Sequence, residues 1–543
     1  MPEAASPSSR APTVRQAALA ALRDCGLTTV FANPGSTEVP FLVDLPDDIE
    51  FVLALHEASV VGIATGHALA TGHPALALLH TTAGLGNAVG AIATARVNRA
   101  PLVVLVGQQD RRHLALEPFL TGRLEGLAGE YPLAVVTPVW AADVPSAIRR
   151  AAHTATAGRG PVVVIVPMDD WDAPADPAVA AAPQRLVAAP PAALVPPDLD
   201  ELVSLLNRST RPAILAGAGV DSERGWAAVA SLADRMGAGV WSEPFGARAG
   251  FDQTHKWYAG QLPADRTRLR DALAPHDLLL VLGAAAIRQY PYDTGPLVPD
   301  HTRLVVVSSD IAEVTRSPAD LSAVADPVAT AEALAERLPE RAGEAPPRRE
   351  YPAYTLDGSG VLHPEDVFAV LAEHLPSDTV LLEESPSSRP ALQEMVPART
   401  PMGFLSAAMG GLGFALPAAI GVRMASPHRP VVAVVGDGSS LYAVQSLWTA
   451  AHHAVGVLVL VLANGRYAVM DRLADRRGGT APWPAFPEVS VARIAEGLGV
   501  RAERISTHAE LAERLPALCR TLADRAEPLL LEVSVEAGTT FQP

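Results

Sequence analysis

Residues 431–470 read VVAVVGDGSSLYAVQSLWTAAHHAVGVLVLVLANGRYAVM, and this stretch indicates the fold. It contains two apolar runs of strand length, 431–435 and 457–462, separated by a segment long enough for a helix. The first run ends in the polar turn GDGS at 436–439, and the second ends in NGR at 464–466. This order of strand, turn, helix and strand is typical of parallel α/β sheets, which place their ligand-binding groups at the carboxyl ends of the strands.

Asp437 and Asn464 lie in the turns that follow these two predicted strands. Because the carboxyl ends of neighbouring parallel strands meet at one edge of a sheet, we expect the two side chains to emerge side by side. A carboxylate and a carboxamide beside Gly-rich backbone supply the oxygen ligands that suit Mg²⁺ when it is bound together with phosphate groups. The alternative is that both are ordinary turn residues, since Gly-Asp-Gly is common at strand ends.

Length and composition indicate a globular protein of several domains. At 543 residues, and with about 150 residues per domain, the chain is expected to form three or four of them. Its net charge of −17 and the lack of a Lys/Arg-rich run argue against a nucleic-acid partner. No apolar run reaches the roughly 18 residues of a membrane span, and the N-terminus lacks the apolar core of a signal peptide. We therefore expect a cytoplasmic enzyme with no membrane partner.

Candidate polar groups follow the predicted strands of the N-terminal third. Strand 29–32 runs into a turn that contains Ser36. The apolar segment 51–58 is predicted to be a strand that ends in Glu57 and passes into a helix at 59–70, and strand 75–79 is followed by His80. Apolar runs at 102–106 and 162–166 complete this first domain. The apolar flanks of Glu57 favour a buried carboxylate with a chemical role; a solvated charge at a helix N-terminus is the alternative. A single histidine after a strand is more often structural, but the Gly-rich turn behind His80 favours a loop that faces a ligand.

The remaining apolar runs predict two further α/β domains. Runs at 213–215, 278–282 and 304–307 define a central domain, and runs at 380–382 and 529–533 join the two opening strands in a third. Ala/Pro-rich residues 171–198 and 338–360 are interpreted as linkers. The predicted fold is α/β, with three doubly wound parallel-sheet domains at 12–175, 195–338 and 361–543. Gly217-Ala218-Gly219 hints at a dinucleotide turn, but Ser222 stands where the third glycine of that pattern belongs, so no nucleotide site is expected there.

Several ordered segments together resemble one enzyme family. They are NPGSTEVPFL, LALHEASVVGIATGHA, LHTTAGLGNAVGA, GGLGFALPAAIGV, GDGSS and ANGRYA. In this order they are similar to segments of the thiamine diphosphate-dependent 2-oxo acid decarboxylases. The resemblance implies a pyrimidine-binding domain, a central Rossmann-like domain and a diphosphate-binding domain, with thiamine diphosphate and Mg²⁺ as cofactors. One departure is Ala463, which replaces the first Asn of the family's diphosphate motif.

The resemblance also implies roles for particular residues. Glu57 corresponds to the glutamate that hydrogen-bonds the aminopyrimidine ring of the cofactor, and Mg²⁺ is held by Asp437, Asn464 and the backbone carbonyl of Arg466. Further cofactor contacts are implied at Ser387, Gly410, Leu412, Gly438, Ser439 and Tyr467. Leu412 matches a bulky residue that wedges beneath the cofactor, although plain core packing is the alternative for a leucine.

On the substrate side, Ser36 matches a residue that binds the substrate carboxylate, and His80 matches an acid/base group. Tyr290 stands where the family has a second histidine, or Gln289 does if the loop shifts by one. A phenol has a reference pKa of about 10, so Tyr290 is a poorer proton shuttle than imidazole at neutral pH. Candidate residues for the substrate pocket are apolar: Phe119, Leu120, Pro386, Met470 and Leu473.

The resemblance implies non-oxidative decarboxylation of an aryl or branched, benzoylformate-like 2-oxo acid to an aldehyde and CO₂. One alternative is a transferase that forms 2-hydroxy ketones, as acetolactate synthases do, and another is a non-catalytic protein of the same fold. The incomplete glycine pattern disfavours a flavin-containing synthase. The family also implies a homodimer or homotetramer with active sites at the subunit interface.

Overall fold

Three six-stranded parallel sheets organise the chain in the computed structural model, which describes residues 12–176, 192–285, 287–341, 343–347 and 360–536. The first sheet has the strand order β2-β1-β3-β4-β6-β5. Its strands are β1 (Thr29–Asn33), β2 (Glu50–Leu53), β3 (Ala75–His80), β4 (Leu102–Gln108), β5 (Ala134–Val136) and β6 (Pro161–Pro167). Helices Val14–Asp24 and Val144–Gly158 cover one face, and Glu57–Thr71 and Thr81–Val97 cover the other. Every residue of β4 and β6 is buried, as expected for strands covered on both faces.

The second sheet has the order β12-β11-β10-β7-β8-β9. Its strands are β7 (Pro212–Ala216), β8 (Gly239–Ser242), β9 (Tyr258–Gln261), β10 (Leu278–Leu282), β11 (Arg303–Ser308) and β12 (Leu321–Val324). The helices of this region are Asp198–Arg208, Glu223–Met236, Arg266–Leu273, Ile311–Arg316 and Pro327–Arg337. Arg266–Leu273 packs on one face, and Glu223–Met236 packs on the opposite face with the first and last of these helices.

The third sheet has the order β14-β13-β15-β16-β18-β17. Its strands are β13 (Val380–Glu384), β14 (Phe404–Ser406), β15 (Val431–Gly436), β16 (Leu458–Ala463), β17 (Arg501–Ile505) and β18 (Leu529–Ser534). Its helices are Pro364–His374, Arg389–Met395, Ala415–Ala425, Asp437–Ser440, Ser446–His452, Ala468–Arg476, Val491–Gly497 and His508–Cys519. The adjacent parallel strands β15 and β16 confirm the arrangement predicted from residues 431–470.

The predicted fold class is therefore confirmed: the chain is α/β with three doubly wound parallel sheets. Two local predictions were wrong. The apolar segment 51–58 is a strand only to Leu53, and the next helix begins at Glu57 rather than at residue 59. Trp171 is buried against Phe41 in the first core instead of opening a linker. Residues 177–191 and 348–359 of the two predicted linkers lie outside the described residues.

The first and third sheets share one hydrophobic core. Helices Glu57–Thr71 and Ala415–Ala425 cross closely because small residues stand at the crossing. A Cβ added at Gly66 would lie 2.0 Å from the carbonyl oxygen of Ala418, and one added at Gly421 would lie 1.9 Å from that of Ile63. In the described ranges, no helix is both long and apolar enough to cross a membrane.

Candidate active site

Glu57 is a buried carboxylate held by two amides. It opens helix Glu57–Thr71 and is only 8% exposed. Asn33, at the end of β1, donates to Oε1 over 3.1 Å, and Asn87 donates to Oε2 over 3.0 Å. The apolar flanks thus predicted its burial correctly, and the two amides fix the plane of its carboxyl group.

His80 lies at the end of β3 and is oriented by a second buried carboxylate, Glu38. The Nδ1 atom of His80 is 3.0 Å from Oε2 of Glu38 and 3.0 Å from the hydroxyl of Thr37. Glu38 is 1% exposed and also accepts hydrogen bonds from the Gly35 N–H and the Thr37 hydroxyl. Because an ionised carboxylate only accepts hydrogen bonds, this contact assigns the proton of a neutral imidazole to Nδ1 and leaves Nε2 for a ligand.

Two glycines leave room for this pair. A Cβ at Gly35 would lie 2.3 Å from the His80 ring, and a Cβ at Gly107 would lie 1.7 Å from Oε1 of Glu38. Gly107 pairs with His80 across β3 and β4, so the strand register brings it to the carboxylate. Ser36 is exposed on the same turn. Sequence reasoning missed Glu38, because its partners come from the ends of two other strands.

Asp437 and the loop after β16 lie side by side, as predicted. Asp437 is buried, and its carboxylate accepts hydrogen bonds from the N–H of Gly438 over 2.7 Å and of Gly465 over 2.6 Å. Burial raises the pKa of this carboxyl group above its ordinary value. Asn464 Oδ1 accepts from the N–H of Arg466 over 3.1 Å, so its side chain closes a turn within its own loop.

A cavity of about 870 Å³ lies between the second and third sheets. Its lining includes the predicted residues Tyr290, Pro386, Gly410 and Leu412. Leu412 is 37% exposed on this cavity, which favours contact with a ligand over core packing. The lining contains no residue of the first sheet's domain among those that the structure describes.

Buried polar side chains hold the loop around Leu412. The carboxylate of Glu384 accepts hydrogen bonds from the N–H groups of Gly413, Phe414 and Ala415 over 2.6–2.7 Å. Burial raises the pKa of Glu384 to about 7, against the effect of these three donors. Asn98 binds the preceding residues: it donates to the Ser406 carbonyl and accepts from the Ala408 N–H.

Tyr290 and Gln289 both face the cavity. The Tyr290 ring lies edge-on to Phe245, with centroids 6.1 Å apart. Gln289 Oε1 is buried and has no hydrogen-bond partner among the described residues. The structure therefore keeps both positions as candidates for the place of the family's second histidine.

The glycine turn after β7 serves protein packing. The Ala218 N–H donates to Oε1 of Glu243 over 3.4 Å, so a carboxylate of the protein occupies the position at which a dinucleotide turn meets a phosphate. A Cβ at Gly219 would lie 2.7 Å from Cα of Gly283, the turn after β10. Burial raises the pKa of Glu243 to about 7.

Comparison with known proteins identifies the family. Residues 12–127, 199–334 and 387–533 match the N-terminal TPP binding domain, the central domain and the C-terminal TPP binding domain of thiamine pyrophosphate (thiamine diphosphate) enzymes. A benzoylformate decarboxylase of Pseudomonas aeruginosa is 38% identical over 539 residues, which cover 98% of this chain and 100% of that protein. The chain belongs to the thiamine diphosphate-dependent 2-oxo acid decarboxylases. It is a carboxy-lyase that uses thiamine diphosphate, and the predicted non-catalytic alternative is set aside.

Solved structures of this decarboxylase family superpose over nearly the whole chain. The 4-hydroxybenzoylformate decarboxylase of Rhodococcus jostii RHA1 has a TM-score of 0.92 and 34% identity, covering 97% of this chain and 100% of its own. A benzoylformate decarboxylase of Polynucleobacter necessarius has a TM-score of 0.91 and 31% identity, covering 97% and 99%. A putative acetolactate synthase large subunit of Mycobacterium tuberculosis is less similar, at 28% identity over 92% of this chain and 96% of that protein.

The decarboxylase's residues fit the cofactor and its usual metal. The Asp437 carboxylate and the Asn464 amide supply oxygen atoms, which are the ligands that Mg²⁺ prefers, and their two turns meet through the Gly465 N–H. The Asp437 carboxylate accepts hydrogen bonds from backbone N–H groups of both turns, so it lies where the two strand ends meet. Gly438 lies tight against an aromatic wall, since an added Cβ would be 2.8 Å from the Tyr467 ring.

The other predicted site residues are dispersed in a single chain of the decarboxylase. Ser387 is half-buried beside Pro386, and Ser439 is buried beside Asp437. Phe119 is 87% exposed, and it lies outside the cavity lining together with Leu120, Met470 and Leu473; Val469, next to Met470, is part of the lining. Their role in a substrate pocket stays a prediction.

Proposed function

We propose that this decarboxylase converts an aromatic 2-oxo acid, such as benzoylformate, to an aldehyde and CO₂ at sites completed by two copies of the chain. The observation that carries the proposal is that the candidate catalytic groups lie in two separate parts of the chain. Glu57, His80 and Ser36 belong to the first domain, whereas Tyr290, Pro386 and Leu412 line a cavity to which that domain contributes no described residue. Two copies arranged about a twofold axis bring the two sets together twice.

Exposed apolar side chains near these groups support such an assembly, as a homodimer or a homotetramer. Val39 and Val43 follow the Ser36 turn, and Leu116 and Phe119 follow β4; all four are at least half exposed. Tyr442 and Met470 follow β15 and β16, a few residues beyond Asp437 and Asn464, and both are exposed. Exposed apolar groups concentrated near a functional site are typical of an interface.

We assign the residues that hold thiamine diphosphate and Mg²⁺ from the chemistry of their side-chain and backbone groups. Asp437, Asn464 and the Arg466 carbonyl would hold Mg²⁺, while Ser387, Gly438 and Ser439 would bind diphosphate oxygens. Gly410, Leu412 and Tyr467 would contact the cofactor, and Glu57 would bind its aminopyrimidine ring. When bound, thiamine diphosphate supplies the electron sink for cleavage of the bond between the keto carbon and the carboxylate.

The protein's own groups then orient the substrate and supply the proton that replaces CO₂. The exposed Ser36 hydroxyl donates to the substrate carboxylate. His80 faces the substrate carbonyl through Nε2, since Nδ1 is bound by Glu38. Tyr290 lies in the cavity wall, in the place of the family's second histidine, and its phenolic hydroxyl donates a hydrogen bond to the substrate.

One part of the lining suits an aromatic substrate, beside charged residues such as Arg288 and Glu384. Phe245, Leu262, Met409 and Leu412 are apolar, and the edges of Phe245 and Tyr290 offer aromatic contacts. Two of the similar proteins are named for benzoylformate and 4-hydroxybenzoylformate. We therefore place an aryl side chain ahead of a branched aliphatic one.

The test is turnover by purified protein with thiamine diphosphate and Mg²⁺ on benzoylformate, 4-hydroxybenzoylformate, a branched 2-oxo acid and pyruvate, with CO₂, aldehyde and 2-hydroxy ketone measured together. We expect the aryl 2-oxo acids to be converted chiefly to aldehydes and CO₂. Preference for pyruvate would overturn the substrate assignment. Tyr290 supports a second candidate, carboligation, because a poorer proton donor prolongs the time in which a second carbonyl compound reacts; 2-hydroxy ketone as the main product would select it.

A further inference from the structure

Residues 483–487 pack on the loop that follows β16. The Phe486 N–H donates to the Gly465 carbonyl over 2.7 Å. A Cβ added at Gly465 would lie 3.1 Å from Cα of Pro487, so the two segments of chain are in direct contact. The segment also reaches the turn after β15, because a Cβ added at Gly438 would lie 3.4 Å from the Phe486 ring. Residues 483–487 therefore contact both turns of the proposed metal site.

Asp471 joins this segment to the loop. It lies in the first turn of helix Ala468–Arg476, and its side chain is 26% exposed. Its Oδ1 atom accepts a hydrogen bond from the Trp483 indole N–H over 2.9 Å. Its Oδ2 atom lies 3.1 Å from Nε of Arg466. One carboxylate thus binds a residue of the loop and a residue of the segment that packs on it.

The contact between Asp471 and Arg466 depends on charge. Oδ2 of Asp471 is buried and has no hydrogen-bond partner among the described residues, so the guanidinium group is held as an ion pair. The Arg466 side chain is 54% exposed, and an ion pair with so much solvent around it adds little to the stability of a fold. We therefore expect the pair to act on the geometry of the loop rather than on the Tm.

The loop that Asp471 holds contains two of the proposed metal ligands. The Arg466 N–H donates to Oδ1 of Asn464 over 3.1 Å, so the Asn464 side chain follows the backbone of Arg466. The Gly465 N–H, between them, donates to the Asp437 carboxylate over 2.6 Å. A group that fixes Arg466 therefore also fixes the positions of Asn464 and of the peptide beside Asp437.

We propose that Asp471 is a positioning residue for the Mg²⁺ site, because it fixes the loop that presents Asn464 and the Arg466 carbonyl to the metal. The inference rests on the proposed function, from which it takes these metal ligands. Asp471 lies outside the segments GDGSS and ANGRYA that carry the family resemblance, so the resemblance assigns it no role. Loss of a group that orients metal ligands from outside the coordination sphere typically weakens metal binding by about 10–100-fold.

The test is a calorimetric titration of metal-free enzyme with Mg²⁺ in excess thiamine diphosphate, with the Tm of the metal-free enzyme measured beside it. Asp471→Asn keeps the size of the side chain and an acceptor for Trp483, but it places an amide N–H against the Arg466 guanidinium. We expect the dissociation constant for Mg²⁺ to rise by about tenfold while the Tm stays near the wild-type value. Trp483→Phe removes the hydrogen bond to Oδ1 and should raise the dissociation constant as well.

Asp475→Asn is the matched control, since Asp475 is exposed one turn further along the same helix; it should bind Mg²⁺ as the wild type does. Arg466→Gln removes the guanidinium group but keeps the backbone carbonyl. Combined with Asp471→Asn, it should weaken binding no further than Asp471→Asn alone, because the two residues act as one unit.

Wild-type affinity for Mg²⁺ in Asp471→Asn or in Trp483→Phe overturns the inference, even where the Tm falls, since a purely structural role would lower the Tm alone. Losses that multiply in the double variant also overturn it, because Asp471 would then not act through Arg466. These outcomes leave the proposed metal ligands standing. A wild type that binds thiamine diphosphate with no need of Mg²⁺ overturns the proposed metal site and this inference together.

Discussion

Gly107→Ala tests whether the Glu38–His80 pair governs activity. The added Cβ would lie 1.7 Å from Oε1 of Glu38 and 2.4 Å from the Thr37 hydroxyl, so the carboxylate must move by more than about 1 Å to reach an ordinary contact distance. His80 is hydrogen-bonded to that carboxylate and moves with it. Because a displacement of about 1 Å in a catalytic group costs roughly 10²-fold in rate, we expect kcat/KM to fall by about that factor. Overpacking should also lower the free energy of unfolding by about 1–3 kcal/mol.

The assay is steady-state decarboxylation at 25 °C, with the folded fraction verified by circular dichroism. Gly497→Ala is the control, because an added Cβ there meets no atom within 4 Å and the residue ends a helix remote from the site. It should leave kcat/KM unchanged and increase stability by up to about 1 kcal/mol. If Gly107→Ala folds and retains the wild-type kcat/KM, the pair does not position the reacting groups.

Three further predictions concern single residues. Glu57→Gln should lower kcat by about 10²–10⁴-fold and stop exchange of the C2 proton of bound thiamine diphosphate with solvent, measured by NMR, since an amide cannot exchange protons with the pyrimidine; unchanged exchange would refute the role of Glu57. Tyr290→His should raise the ratio of aldehyde to 2-hydroxy ketone, with Gln289→His as the comparison, and a larger gain at position 289 would reassign the role to that residue. In the folded protein the pKa of Glu243 is about 7, whereas in the unfolded chain its pKa is near 4.5. Its stabilising contribution is complete below pH 4.5 and is lost as the pH rises through 7, so wild type should lose about 3 kcal/mol more than Glu243→Gln between these limits in denaturant titrations. Parallel pH profiles for the two proteins would refute the assigned pKa.

Continuous apolar runs predicted the inner strands well because both faces of a parallel sheet are buried. Five of the six missed strands lie at sheet edges, where one side is open and the sequence is mixed. In β17, the sequence RAERI has only one fully buried residue, and β12 alternates between half-buried and exposed positions. The inner strand β8 was missed because it has four residues and only two are buried.

The sequence predicted the site residues that follow neighbouring strands. It missed the residues whose partners come from distant parts of the chain. Asp437 and Asn464 follow neighbouring strands, so the order of elements places them together. The partners of Glu38 come from β3, β4 and the turn after β1, and Glu384 meets the start of a helix about thirty residues later in the chain. Such contacts depend on sheet order and register, which a single sequence does not display.

The assembly of the site from two copies is tested most directly by co-expressing Glu57→Gln and Asp437→Ala chains in equal amounts. Each variant alone should be inactive. If Glu57 of one copy works with Asp437 of another, about a quarter of the sites in the mixture receive both wild-type groups, so activity should return to about a quarter of the wild-type value. Activity no greater than that of either variant alone would show that both groups come from the same chain and would contradict the shared site.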